Sequence, residues 1–265
     1  MIEKSKTYVV MGLLDKNSIA NVVGQVVEEW GGEVVYTVQN ERMKRLFLER
    51  NKQWAKDNQH RLHVKCCDVT DPKEVKALFK DIGRIAGVTH SIAYANPKTC
   101  LGPEFHTDAI EDLKTGFHIS AVSLATVVRY AQPHMVDGGG VVTLSFASQR
   151  AFPFYNWMGV NKAALEATVR ALARRHGRDL VRINAISAGP VTTRAAGAIQ
   201  GFEALGQTWE KSSPLPWDHE ADKREVANAA AFLMGPYSKK ISGQVLHVDG
   251  GASIIGGEMM PHERA

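Results

Sequence analysis

Short apolar runs rich in β-branched residues alternate with longer segments of helical period along the whole chain, and this alternation restricts the fold more than any single motif. A strand buried on both faces reads as a continuous apolar run, whereas an amphipathic helix spaces its apolar residues three and four apart. On that basis strands are predicted at about 7–12, 33–38, 62–67, 88–94, 140–146, 180–187 and 244–249. Helices are predicted at about 18–30, 40–58, 72–85, 108–135, 155–176 and 223–234. Repeated βαβ units of this kind build a parallel sheet covered by helices on both faces.

The expected fold is therefore α/β, a doubly wound (Rossmann) sheet of seven parallel strands. With 265 residues, 44% of them hydrophobic, the chain can bury one large core. No internal repeat, low-complexity segment or linker divides it, so one domain over 1–265 is expected. The one irregular stretch is about 190–222, and a long connection in a compact α/β domain is commonly a binding loop. No apolar run approaches the roughly 18 residues of a membrane span, and the first residues carry no signal-peptide pattern. A cytoplasmic protein without membrane contact is the expectation. Cys66, Cys67 and Cys100 are odd in number and read as reduced thiols. The net charge, 32 − 28 = +4, is too small to argue for a nucleic-acid partner. The ten histidines include no HxxxH or HxH pair, so no metal is implied.

In a doubly wound sheet, ligands bind outside the carboxyl ends of the strands near the switch in strand order. The first strand ends at Gly12, and a helix begins near Ser18, Ile19 and Ala20. A glycine at such a turn admits a pyrophosphate close to the backbone, and the helix start adds partial positive charge. Ser18 suits either a phosphate contact or an ordinary helix cap. Gln39 follows the second strand, where a polar side chain can bond an adenosine ribose, and Arg42 and Lys44 could at best support a 2′-phosphate, so NADH is favoured and NADPH is not excluded. Asp68 and Val69 follow the third strand, Asp68 as an adenine contact or as part of a cap. Ser91, Ala93 and Tyr94 follow the fourth, where small residues let a flat ligand cross the sheet edge.

Tyr155 and Lys162 are seven residues apart at the start of a strongly helical stretch, nearly two turns, and so share a face toward the crevice. An ammonium near a phenol biases it toward its anion, and such a phenol can donate to an oxygen that is gaining charge. The same lysine can hold ribose hydroxyls. Upstream, Ser145 offers a hydroxyl able to polarise a carbonyl, and Phe146 a pocket wall. Downstream, the backbone around Val191 and Thr193 can receive a carboxamide. Ala195, Ala196, Ala198, Ile199, Phe202 and Leu205 then form an apolar set at helical spacing, either a small core helix or a cover over an apolar substrate.

Taken in order, Gly12…Ser18-Ile19-Ala20, Gln39-Asn40, Cys67-Asp68-Val69, His90-Ser91-Ile92-Ala93, Tyr155-Asn-x-Met-Gly-x-x-Lys162, Asn184-Ala-Ile-Ser-Ala-Gly-Pro190 and His247-Val-Asp-Gly-Gly251 resemble the enoyl-acyl-carrier-protein reductases of the short-chain dehydrogenase/reductase superfamily. The resemblance spans about residues 7–253. It implies an NAD(P)H-dependent homotetramer that reduces the trans-2 double bond of a fatty acyl thioester, with acyl-carrier protein as partner. It implies that Gly12, Ser18, Ile19, Gln39, Asp68, Val69, Ser91, Ala93, Lys162, Val191 and Thr193 line the cofactor. Tyr155 would meet the thioester oxygen, with Tyr94, Phe146, Met158, Ala195, Ile199 and Phe202 around the substrate. The first turn is glycine-poor and Val142 stands thirteen residues before Tyr155, where classical superfamily members carry serine. Both features favour the enoyl-reductase branch. Phe146 stands where many bacterial members have a second tyrosine. Another superfamily enzyme acting on a carbonyl or hydroxyl group, and a non-catalytic NAD(P)-binding regulator, are the alternatives.

Overall fold

The computed structural model describes residues 1–59 and 62–259; the expected domain, 1–265, also includes 60, 61 and 260–265, which lie outside the described residues. Seven strands, β1 (Thr7–Met11), β2 (Glu33–Val38), β3 (His63–Cys66), β4 (Gly87–His90), β5 (Gly139–Ser145), β6 (Val181–Ala188) and β7 (Val245–Val248), form one parallel sheet in the order 3-2-1-4-5-6-7. The order reverses between β1 and β4, and there Val9 lies beside Val88 and Met11 beside His90.

Alternation along the strands divides the core. Tyr8, Val10, Val142 and Ile186 face one layer, while Val9, Met11, Val141 and Ile183 face the other. Helices α1 (Ile19–Glu29) and α9 (Lys223–Met234) pack together over the first face. On the second lie α4 (Pro72–Ile82), α6 (Ser123–Ala131) and most of α7 (Asn156–His176). Fully burying each of the Val, Ile and Met side chains contributes on the order of 1.5–3 kcal/mol. The helix starts follow local chemistry. Ser18 accepts from the Asn21 N–H, Asn40 from Met43 and Asp71 from Lys73, with Pro72 in the first turn of α4.

Four expectations need correction. The helix expected over 40–58 is two, α2 (Glu41–Arg50) and α3 (Lys52–Asp57), because Asn51 leaves the helical conformation and its amide bonds back to the Phe47 carbonyl at 2.8 Å. The helix expected over 108–135 is α5 (Ile110–Phe117), a π-turn at His118–Val122, α6, and a 3₁₀ turn at Gln132–His134. The stretch at 190–222, read as irregular, folds a 3₁₀ turn at Ala196–Ala198 and α8 over Phe202–Ser212. The fourth strand also stops at His90, four residues short of the expected end. Among the described residues no helix is long and apolar enough to cross a membrane.

Candidate active site

A cavity of about 790 Å³ opens along the carboxyl edge of the sheet, and its wall contains the cofactor, catalytic and substrate residues expected from the sequence, though neither Arg42 nor Lys44. Gly12 sits where β1 meets β4. Its φ is +95°, and a Cβ there would stand 2.0 Å from the Ser91 carbonyl oxygen, so any side chain would collide with backbone. Ser18 serves as the cap of α1, and its own hydroxyl donates to the Asp15 carbonyl at 2.7 Å. The start of α1, which leaves its first N–H groups without intrahelical partners, borders the cavity through Ser18 and Ile19. Gln39 reaches across from β2 to β3, donating from its amide to Asp68 at 2.9 Å. Asp68 also accepts from the N–H and hydroxyl of Thr70, and these bonds hold its carboxyl below the usual range against the opposing effect of burial. The cap of α4 is left to Asp71.

Tyr155 immediately precedes α7, and Lys162 lies two turns inside it. Both are buried, and both border the cavity. The expected electrostatic bias of the phenol is not what the structure has. Burial alone pushes the Tyr155 pKa upward, while the Lys162 ammonium is turned to the Leu144 carbonyl at 2.7 Å. Burial also pushes Lys162 down to about 8, opposed by the nearby Glu166 carboxylate. The neighbours of Tyr155, Phe154 (φ +67°) and Asn156 (φ +33°), are left-handed. The segment after β4 holds them: Gly102 N–H donates to the Phe154 carbonyl at 2.9 Å, and the Asn156 amide donates to the carbonyls of Gly102 (2.5 Å) and Glu104 (3.1 Å).

Ser145 does not present a free hydroxyl to a carbonyl, as expected from the sequence. It donates to Glu166 Oε1 at 2.5 Å. Phe146 does form a wall. Its ring meets those of Tyr155 (4.9 Å), Phe152 (5.0 Å) and Trp209 (5.4 Å). Trp209 belongs to α8 and is tied by its indole N–H to the Asp249 carbonyl at 3.0 Å. The connection leading to α8 is also fastened. Trp217 donates to the Pro190 carbonyl at 2.7 Å, the Thr192 N–H to the His219 carbonyl at 2.8 Å, and Lys223 to the Thr192 carbonyl at 2.9 Å. Val191, Thr193, Ala195, Ile199 and Phe202 line the cavity from this side.

A family model described as enoyl-(acyl carrier protein) reductase matches residues 12–253. The chain belongs to the enoyl-acyl-carrier-protein reductase family. FabI of Staphylococcus aureus (strain MRSA252), named as the NADPH enoyl-acyl-carrier-protein reductase, is 37% identical over 257 residues, 95% of this chain and 98% of that protein. FabI of Bacillus subtilis (strain 168), named as the NADH enzyme, is 34% identical over 256 residues, 95% of this chain and 97% of that protein. The crystal structure of the Bacillus cereus enoyl-acyl carrier protein reductase with NADP+ and indole naphthyridinone superposes with a TM-score of 0.87 at 36% identity, covering 96% of this chain and 98% of that one.

For an enoyl-acyl-carrier-protein reductase, the residues that sequence reasoning passed over are informative. Ser120, in the π-turn, accepts from the Tyr94 N–H and donates to the Tyr94 carbonyl, both at 2.9 Å, and so shapes the loop after β4. Its signal was absent because the π-turn is invisible in a helical period. Glu166 had a signal: it lies four residues after Lys162 and therefore on the same face of α7.

Proposed function

We propose that this chain reduces the trans-2 double bond of a fatty enoyl thioester, using NADH in preference to NADPH. The observation that carries the reading is the shared cavity: a phenol and an ammonium group at one end, Gln39 and Asp68 at the other, and a glycine turn with a helix start between them. The wall fits a dinucleotide. Gly12 leaves open the approach of a pyrophosphate to the start of α1, and Gln39 with Asp68 offers polar atoms to the adenosine half.

Reduced nicotinamide, when bound, supplies the hydride. Tyr155 then bonds the thioester oxygen, where negative charge develops as the double bond is reduced, and as a neutral phenol it has a proton to donate. Lys162 would hold the ribose hydroxyls of the bound cofactor. Phe146, Met158 and Tyr94 enclose the acyl chain, and Ala195, Ile199 and Phe202 cover it from the 190–222 connection. Phe146 has no hydroxyl, so Tyr155 alone meets the oxygen from that wall.

The acyl group is delivered by acyl-carrier protein, for which exposed Arg194 at the cavity supplies positive charge. A homotetramer is the assembly that fits the exposed apolar side chains Ile110, Phe117, Val122 and Val160 on α5, the π-turn and α7. The test is substrate profiling with purified protein: oxidation of NADH on adding trans-2-enoyl thioesters supports the reading, and oxidation with ketones but not with enoyl thioesters replaces it by carbonyl reduction.

A further inference from the structure

Glu166 is buried in the second layer of the core, an uncommon place for a carboxylate unless it is paired. Both of its oxygens are engaged. Ser145 donates to Oε1 and Ser148 to Oε2, each at 2.5 Å, so two hydroxyls from the end of β5 bracket the group. Lys162 is one helical turn earlier on the same face of α7, buried as well, with its ammonium directed to the Leu144 carbonyl rather than to the carboxylate. The serines therefore hold the negative charge beside the lysine without letting the two collapse into a contact ion pair that would draw the ammonium away from the cavity.

We propose that Glu166 is a positioning residue: gripped by Ser145 and Ser148, its carboxylate keeps Lys162 charged and free to serve the cofactor ribose. This rests on the role of Lys162 given above. The other titratable groups around Lys162 carry no charge in the working range. His90, from β4, is fully buried against Thr143 and Ser123, and burial together with Lys162 pushes it down to about 3. Tyr155, before α7, is pushed up by burial. Glu166 is then the one nearby group among the described residues that opposes the desolvation of the lysine.

The test is the pH dependence of NADH affinity and of kcat/KM in Glu166→Gln, which keeps the size and removes the charge. The alkaline limb of both should move to lower pH by on the order of one unit, a roughly fivefold loss where the wild type is half-active, with little change two units below. Glu166→Asp should restore most of the shift. Limbs that coincide with wild type, or a loss uniform in pH, overturn the proposal. Where Glu166→Gln does not fold, Ser145→Ala/Ser148→Ala decides. With its grip gone the carboxylate turns onto Lys162, so the alkaline limb should move to higher pH while NADH affinity at neutral pH falls. A limb and an affinity unchanged in that variant overturn the proposal equally. A wild type that binds NADH but leaves it unoxidised with enoyl thioesters would end the proposed reaction, while the binding limb would still report on Glu166.

Discussion

The rings of Phe146 and Tyr155 meet edge to face, 4.9 Å between centroids and 60° between planes. The phenol is thereby seated against an apolar wall, which accounts for a pKa moved by burial and nothing else. A second contact of the Phe146 ring, with Trp209 at 5.4 Å, joins the end of β5 to α8. Replacing Phe146 with Ala removes three ring contacts, and core changes of this kind cost about 3–5 kcal/mol. Thermal unfolding of Phe146→Ala should show a Tm lower by on the order of 10 °C. Phe146→Leu should keep reduction but alter the ratio of kcat/KM for long and short acyl chains, measured by steady-state kinetics.

Gly12→Ala places a methyl group against the Ser91 carbonyl at a backbone angle that suits glycine. The left-handed conformation alone costs roughly 1–2 kcal/mol in an L-residue, and the collision with backbone adds to it. Denaturant titration should show a loss of about 2 kcal/mol or more, and NADH affinity, followed by fluorescence, should fall as the turn widens.

Asn156→Ala releases the two carbonyls of Gly102 and Glu104 and with them the left-handed seat of Tyr155. Two lost hydrogen bonds amount to about 1–3 kcal/mol. Because the bonds hold the phenol and not the dinucleotide end of the cavity, kcat should fall while NADH affinity is retained.

Lys162 links pH to both turnover and stability, in opposite directions. Its pKa lies at about 8, below the ordinary value of 10.5, because burial disfavours the ammonium. Between these values the unfolded chain binds more protons than the native one, so this group makes the unliganded protein more stable as pH rises from about 8 towards 10.5. The ribose contact needs the ammonium, so NADH affinity should fall over the same interval. Thermal unfolding of wild type and Lys162→Met as a function of pH, alongside NADH titrations, separates the two effects: the stability gain should vanish in the variant.

The parallel sheet was legible because its strands are buried on both faces and so read as unbroken apolar runs, β6 being buried at every position. The end of β4 was not, since Ser91 to Tyr94 continue an apolar-looking run although the ladder stops at His90. Helices were misjudged where a side chain competes with the backbone, as at Asn51, or where an extra residue slips into the turn, as at His118–Val122. In the site, residue identity and order located the cavity wall, because strand ends converge there by topology. What the sequence could not carry was direction: whether Ser145 faces a substrate or Glu166, and whether Lys162 faces Tyr155 or the Leu144 carbonyl, depends on the packing of α7 against β5.

The most direct test compares wild type with Tyr155→Phe, following the loss of reduced-nicotinamide absorbance on adding one short and one long trans-2-enoyl thioester, with NADH affinity measured in parallel. Removing a single donor aimed at developing charge typically costs about 10²–10³ in rate. Wild type should oxidise NADH with both thioesters, and Tyr155→Phe should be slower by that order with NADH binding intact. Equal rates in the two proteins would contradict a reduction that turns on this phenol.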